Sequence, residues 1–144
     1  MAGFGIFFAL LIWFFFFFGI LLFFIVANWK IYKKMGLEGW ESLVPFYNLW
    51  VLAKAVGKPP YWGLLCCIPF FIGIIWAIWL CNMLSKSFGK DEGFTVGLIF
   101  LPFIFIPILG SGNAKYLGPY GDPVAFRAYN ENKKFDFENN NLIN

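Results

Sequence analysis

Residues 4–27 read FGIFFALLIWFFFFFGILLFFIVA, a run of twenty-four residues without a charge, amide or hydroxyl. At 1.5 Å per residue the run makes about 36 Å of helix, enough to cross the ~30 Å hydrocarbon core of a bilayer with some tilt. A soluble chain of 144 residues has no interior long enough to hide it. Lipid is therefore the solvent against which the remaining sequence is read. Composition agrees: 60% of residues are hydrophobic and 13% charged, against about 25% charged in soluble domains. Twenty-one Phe and seven Trp exceed what so small a core could bury, so acyl chains or partner proteins are expected to cover much of them. No Lys or Arg precedes the run, its length exceeds that of a signal-peptide core, and Ala27-Asn28-Trp29 is a weak cleavage context. The run therefore reads as retained.

Two further apolar segments follow. Tyr61 to Leu84, YWGLLCCIPFFIGIIWAIWLCNML, is long enough to cross. Phe94 to Leu109, FTVGLIFLPFIFIPIL, is shorter and contains Pro102 and Pro107, which predicts a bent or partly broken helix. The expected fold class is thus an all-α integral membrane protein, with three transmembrane helices at about 4–27, 61–84 and 94–109. Lysine placement orients it. Lys30, Lys33, Lys34, Lys54 and Lys58 follow the first span, Lys86 and Lys90 lie between the second and third, and Lys115, Arg127, Lys133 and Lys134 occupy the tail. Counts of five, two and four predict an N-terminus outside, with the first loop and the tail in the cytoplasm.

Between the first two spans, LEGWESLVPFYNLWVLAKAV (37–56) is too short and too interrupted, by Pro45 and Asn48, to cross. Trp40, Leu43, Val44 and Tyr47 recur at helical spacing, as do Leu49, Leu52, Ala53 and Val56. The pattern predicts a broken amphipathic helical hairpin in the headgroup layer, or a shallow re-entrant loop whose backbone would need protein cover. Trp40, Pro45, Tyr47 and Asn48 are the candidate contact surface; the plainer reading is that they only fix this hairpin. Residues 1–110 form the membrane domain and 111–144 a cytoplasmic tail. Within the tail, Asp122-Pro123 is an N-cap followed by a favoured first helical residue, predicting a short helix over 123–134. The Asn-rich end, ENNNLIN, reads as disordered unless a partner holds it.

The residues of chemistry are sparse. The sequence has no histidine, the commonest general base and metal ligand. Cys66, Cys67 and Cys81 lie in one apolar stretch without metal-ligand spacing or a disulfide framework. The spans contain no Asp, Glu, Lys, Arg or His, and such groups mark most intramembrane enzymes and transporters. Ser85-Lys86-Ser87 is a poor nucleophile and base pair, because neighbours on a helix point apart; Gly89 reads as the cap of the helix before it. The net charge of +3 is too small, and too scattered along the spans, to favour nucleic acid. No catalytic residue, metal or cofactor is expected. Assembly is better supported. Gly73, Ala77, Cys81 and Ser85 repeat every four residues, as do Gly93 and Gly97, and small-residue stripes let helix backbones approach closely in lipid.

The order of several motifs adds to this reading. Gly39-Trp40-Glu41-Ser42-Leu43-Val44-Pro45-Phe46-Tyr47-Asn48 leads to Gly57-Lys58-Pro59 and a span with Pro69. Ser87-Phe88-Gly89-Lys90, Gly97-Leu98-Ile99-Phe100-Leu101-Pro102 and Lys115-Tyr116-Leu117-Gly118 follow. Residues 35–119 thereby resemble a family of small uncharacterised bacterial inner-membrane proteins, whose core also occurs fused in front of the catalytic domain of some type I signal peptidases. The resemblance carries no catalytic residues and implies a link to protein export or envelope maturation. Residues 1–144 hold no peptidase domain, so protease activity is not expected of them. The expected function is a non-catalytic accessory subunit of an inner-membrane complex, with the bilayer and translocon, insertase or signal-peptidase components as partners. The alternative is a homo-oligomeric small channel or transporter component built around the Pro-broken third span.

Overall fold

The computed structural model describes residues 2–69 and 71–143. They form an all-α structure of seven α-helices and one 3-10 turn. The apolar run lies in α1, Ala2–Lys34. Gly3–Lys34 is long and apolar enough for a membrane anchor or signal sequence. α1 stops at Gly36, where a positive φ of 78° lets the Leu37 amide reach back to the Tyr32 carbonyl at 3.0 Å. Glycine enters that conformation without the steric cost other residues bear. The same closure, with Gly57 and Gly89, ends the second and fourth helices through Lys58 to Ala53 and Lys90 to Ser85. The cap expected at Gly89 is therefore present.

The segment 37–56 folds as a 3-10 turn, Gly39–Ser42, and α2, Tyr47–Ala55. It packs under the end of α1. Gly39 lies so close to the Trp29 indole that no side chain would fit, and the Tyr32 hydroxyl donates to the Asn48 carbonyl at 2.8 Å.

The stretch read as a second continuous span is two helices, α3 (Tyr61–Leu65) and α4 (Phe71–Ser87). Between them the amides of Cys66, Cys67 and Ile68 bond three residues back, to Gly63, Leu64 and Leu65. Pro69 then brings no N–H at all. The chain doubles back here: the Trp62 ring lies 4.3 Å from Trp76 and 5.8 Å from Trp79.

The third apolar stretch is broken more sharply than a bent span. α5 (Glu92–Phe100) and α6 (Pro102–Ser111) meet at Leu101, whose φ of −130° and ψ of 53° leave the helical region. Pro102 removes one donor at the break, and the Leu101 carbonyl accepts from both Ile104 and Phe105 at 3.0 and 3.1 Å. Phe94 and Phe105 stack edge to face at 5.0 Å across the V. α6 runs alongside α1 in the same direction, with Phe103 against Phe24 and Gly110 against the Ala27 backbone.

Both hairpins therefore return to the end of α1 from which they started. Ile31, Tyr32, Met35, Val56, Leu84, Phe88, Leu109 and Tyr116 pack there into one core. The Leu117 amide bonds to the Ser87 carbonyl at 2.8 Å and the Gly121 amide to the Val56 carbonyl at 2.7 Å. Lys86 and Lys90, which a three-span reading would put on the far side, sit beside the other loops. The physical reason is local: proline and short-range turns split each apolar run, and the halves fold onto each other.

α7, Pro123–Ile143, begins where Asp122-Pro123 predicts, with the Asp122 carboxylate accepting from Val124 and Ala125 at 3.0 and 3.2 Å. It passes the expected end at 134 and carries the Asn-rich stretch as helix to Ile143. Asn144 lies outside the described residues.

Candidate functional site

The loops that gather at the end of α1 form a platform, and the candidate contact residues occupy its outer edge. Trp40 and Tyr47 stack with near-parallel rings, 5.9 Å apart and 7° from coplanar. Tyr47 donates its hydroxyl to Glu41 at 3.3 Å, while Glu41 also closes the cap of the 3-10 turn by accepting from the Glu38 amide. Pro45 is exposed. Asn48 differs from its neighbours. Its amide nitrogen reaches the Ser42 carbonyl, its side-chain oxygen takes the Leu49 amide, and its carbonyl holds Tyr32. Every polar group of that side chain serves the hairpin. Asn48 thus fits the plainer structural reading, whereas Trp40, Pro45 and Tyr47 remain available for contact.

Phe46 completes the patch and escaped the sequence reading. Its φ of 64° and ψ of −45° place a bulky residue where L-residues are strained. The Tyr47 amide bonds to the Pro45 carbonyl at 2.7 Å, closing a γ-turn of the rare positive-φ kind. The turn pushes the Phe46 ring outward, and 62% of the residue stays exposed. Trp50, on the same side of α2, is also exposed. Four aromatic rings, at positions 40, 46, 47 and 50, thus crown the platform. No sequence signal marks positive φ at an aromatic residue; the Pro45-Phe46 pair alone hints at a turn.

Beneath the patch the platform is tied by buried polar groups. Ser85 donates to the Asp91 carbonyl at 3.1 Å, and the Ser87 hydroxyl accepts the Tyr120 amide at 3.3 Å. Both serines are fully buried and committed to backbone atoms, and Lys86 faces Glu92 at 3.7 Å. Thr95 is likewise tied, to the Asp91 carbonyl. Asn82 is the exception, since its buried side-chain oxygen has no partner among the described residues. Tyr116 donates to the Ala55 carbonyl. Burial, with Tyr129 alongside, pushes its phenol up to about 12, so the hydroxyl keeps its proton and its bond.

The proposed packing residues fall in different places. Gly73 is buried against the Ile68 and Cys66 carbonyls, which lets the α3–α4 tip close on itself. Gly97 faces the Phe105 ring inside the α5–α6 hairpin. Ala77 and Cys81 are half-buried on α4, and Gly93 is exposed, with only the Asp91 carboxylate in ordinary contact range. The close backbone-to-backbone approaches between helices use glycines outside both stripes: Gly63 against the Leu49 carbonyl of α2, and Gly110 against Ala27 of α1. A single glycine has no period to betray it.

Residues 40–119 match a family of unknown function, DUF5684. The chain belongs to that family. No curated protein and no solved structure matches the chain. The DUF5684 match starts at Trp40 of the patch and ends at Pro119 in the closing loop. It takes in both hairpins and nearly all of the platform, and leaves α1 and α7 outside.

Proposed function

We propose that this DUF5684 protein is a non-catalytic accessory subunit of a bacterial inner-membrane complex that handles exported proteins. α1 is its single full span, with the N-terminus outside. The two hairpins dip into the cytoplasmic leaflet from the platform, and all loops and α7 stay in the cytoplasm. The lysine pattern supports this topology more strongly than three spans do: all eleven basic residues then lie on the cytoplasmic side. The hairpin tips suit lipid better than open loops would, because Pro69 and Pro102 bring no N–H and short-range bonds satisfy the amides of Cys66, Cys67, Ile68, Ile104 and Phe105.

The observation that carries the reading is the aromatic crown, whose Phe46 ring is held in the open at the expense of backbone strain. A residue kept strained and exposed is better explained by a contact than by folding, and aromatic anchors dominate protein interfaces. Two features add support. The hydroxyls of Ser85, Ser87 and Thr95 are spent on backbone atoms, and the large apolar side chains of α1 from Phe4 to Phe16 are exposed. The resemblance of residues 35–119 to the module fused to signal peptidases points to export as the setting.

The test is a mild-detergent pull-down of the tagged chain from native membranes, with mass spectrometry of stoichiometric partners. Translocon, insertase or signal-peptidase components should co-purify, and Trp40→Ala/Phe46→Ala should release them. Recovery as a homo-oligomer without partners would sink the proposal.

A further inference from the structure

We propose that the groove between the end of α1, the segment 112–116 and α7 binds the phosphate of an anionic phospholipid headgroup. The groove has a volume of about 480 Å³, within the range of small-ligand sites. Its charged lining is Lys34, Lys115 and Lys133, with no carboxylate. Lys30 and Lys90 stand near enough to act on Lys34 through space.

Two of the three ammonium groups are held in place. Lys34 donates to the carbonyls of Leu109 and Gly112, both at 2.7 Å, and keeps further N–H capacity for a ligand. Lys133 lies over the Tyr129 ring at 5.9 Å, and Tyr129 packs edge to face on the buried Tyr116 at 5.5 Å. Fixed cations around a polar recess lose little freedom when an anion arrives.

Position selects a lipid phosphate over a free one. Lys34 is the last residue of the apolar helix, so the groove opens where α1 leaves the membrane. An apolar cleft of about 340 Å³, lined by Phe17, Ile20, Leu21, Phe24 and Phe103, lies higher on the same α1–α6 seam. Phe24 and Lys34 are ten residues apart, about 15 Å along the helix, a distance an acyl chain spans easily. Basic recesses on the cytoplasmic side of membrane helices suit anionic headgroups. The inference rests on the membrane placement proposed above, but not on the accessory role.

Native mass spectrometry of the full chain in detergent tests it, with palmitoyl-oleoyl phosphatidylglycerol, the matching phosphatidylcholine and inorganic phosphate as probes. Phosphatidylglycerol should bind about tenfold or more tighter than phosphatidylcholine. Lys115→Gln/Lys133→Gln should abolish that preference, while Arg127→Gln/Lys134→Gln, which alters positive charge elsewhere on α7, should retain it. Equal binding of the two lipids would overturn the proposal, as would an equal loss in both double variants. Displacement of the lipid by inorganic phosphate at matched concentration would reassign the groove to a free anion and overturn the lipid assignment. Pull-down partners are unaffected by any of these results, so the two proposals fail separately.

Discussion

The two hairpins are alike at their tips and unlike along their flanks. Each breaks an apolar run with a proline and short-range bonds, and each uses a buried glycine, Gly73 or Gly97, to fold back. Their seating differs. α5–α6 is docked on α1, with Pro107, Leu109 and Gly110 buried along the seam. α3–α4 leans on α2 through Gly63, while Phe71, Ile72, Ile74 and Ile75 at its far end remain exposed. One hairpin is covered along its flank by its own chain, and the other keeps an apolar far end exposed. Identical local devices thus give two different surfaces, because the flanking glycines decide what each hairpin can approach.

The largest expected effect concerns the topology proposed for both hairpins. In a variant without its native cysteines, Lys90→Cys should resist a membrane-impermeant maleimide added to intact cells and react only after permeabilisation, as Lys54→Cys should. External labelling at position 90 would restore continuous spans and end the comparison. Next in size is Gly110→Leu, where the new side chain meets the α1 backbone at Ala27. We expect a loss of about 3 kcal/mol or more, read by thermal unfolding in detergent. An unchanged Tm would mean that α6 is not seated on α1. Gly97→Ala should cost less, about 1–2 kcal/mol, because the Phe105 ring can shift to admit a methyl. The smallest change is Gly93→Ala, which meets nothing close except the Asp91 carboxylate. Helix propensity alone should make it neutral or stabilising by up to about 1 kcal/mol; a clear loss would reveal packing outside the chain.

Much of this was legible in the residues. An apolar run without interruption specifies α1, Asp122-Pro123 marks the start of α7, and Gly89 marks the end of α4. Pro102 announced a break, though not how far it would fold. The hairpins were hidden for a physical reason: an apolar run that folds back on itself has the same hydropathy as one that continues straight. The usable signal was Lys86 and Lys90, two cations that a three-span topology puts on the disfavoured side. Within the candidate site, Trp40 and Tyr47 were readable as amphipathic periodicity. Phe46 was not, since its exposure follows from a backbone angle that no propensity encodes. The extension of α7 through Asn-rich sequence was equally invisible, because asparagine is a poor helix former taken alone.

The convergence of helix ends has an electrostatic consequence. α1, α2, α4 and α6 all finish at the platform, so four negative dipole ends are crowded into one small volume. Lys33 and Lys34, Lys54 and Lys86 occupy the last turns of three of them, and Lys34 caps the fourth. In the topology proposed above, the cations that would orient the chain in a membrane also neutralise its helix termini. That topology would couple folding to insertion direction: stripping charge from this cluster would loosen the bundle and blur its orientation in the same stroke, and a chain inserted backwards would have to bring that cluster through the bilayer.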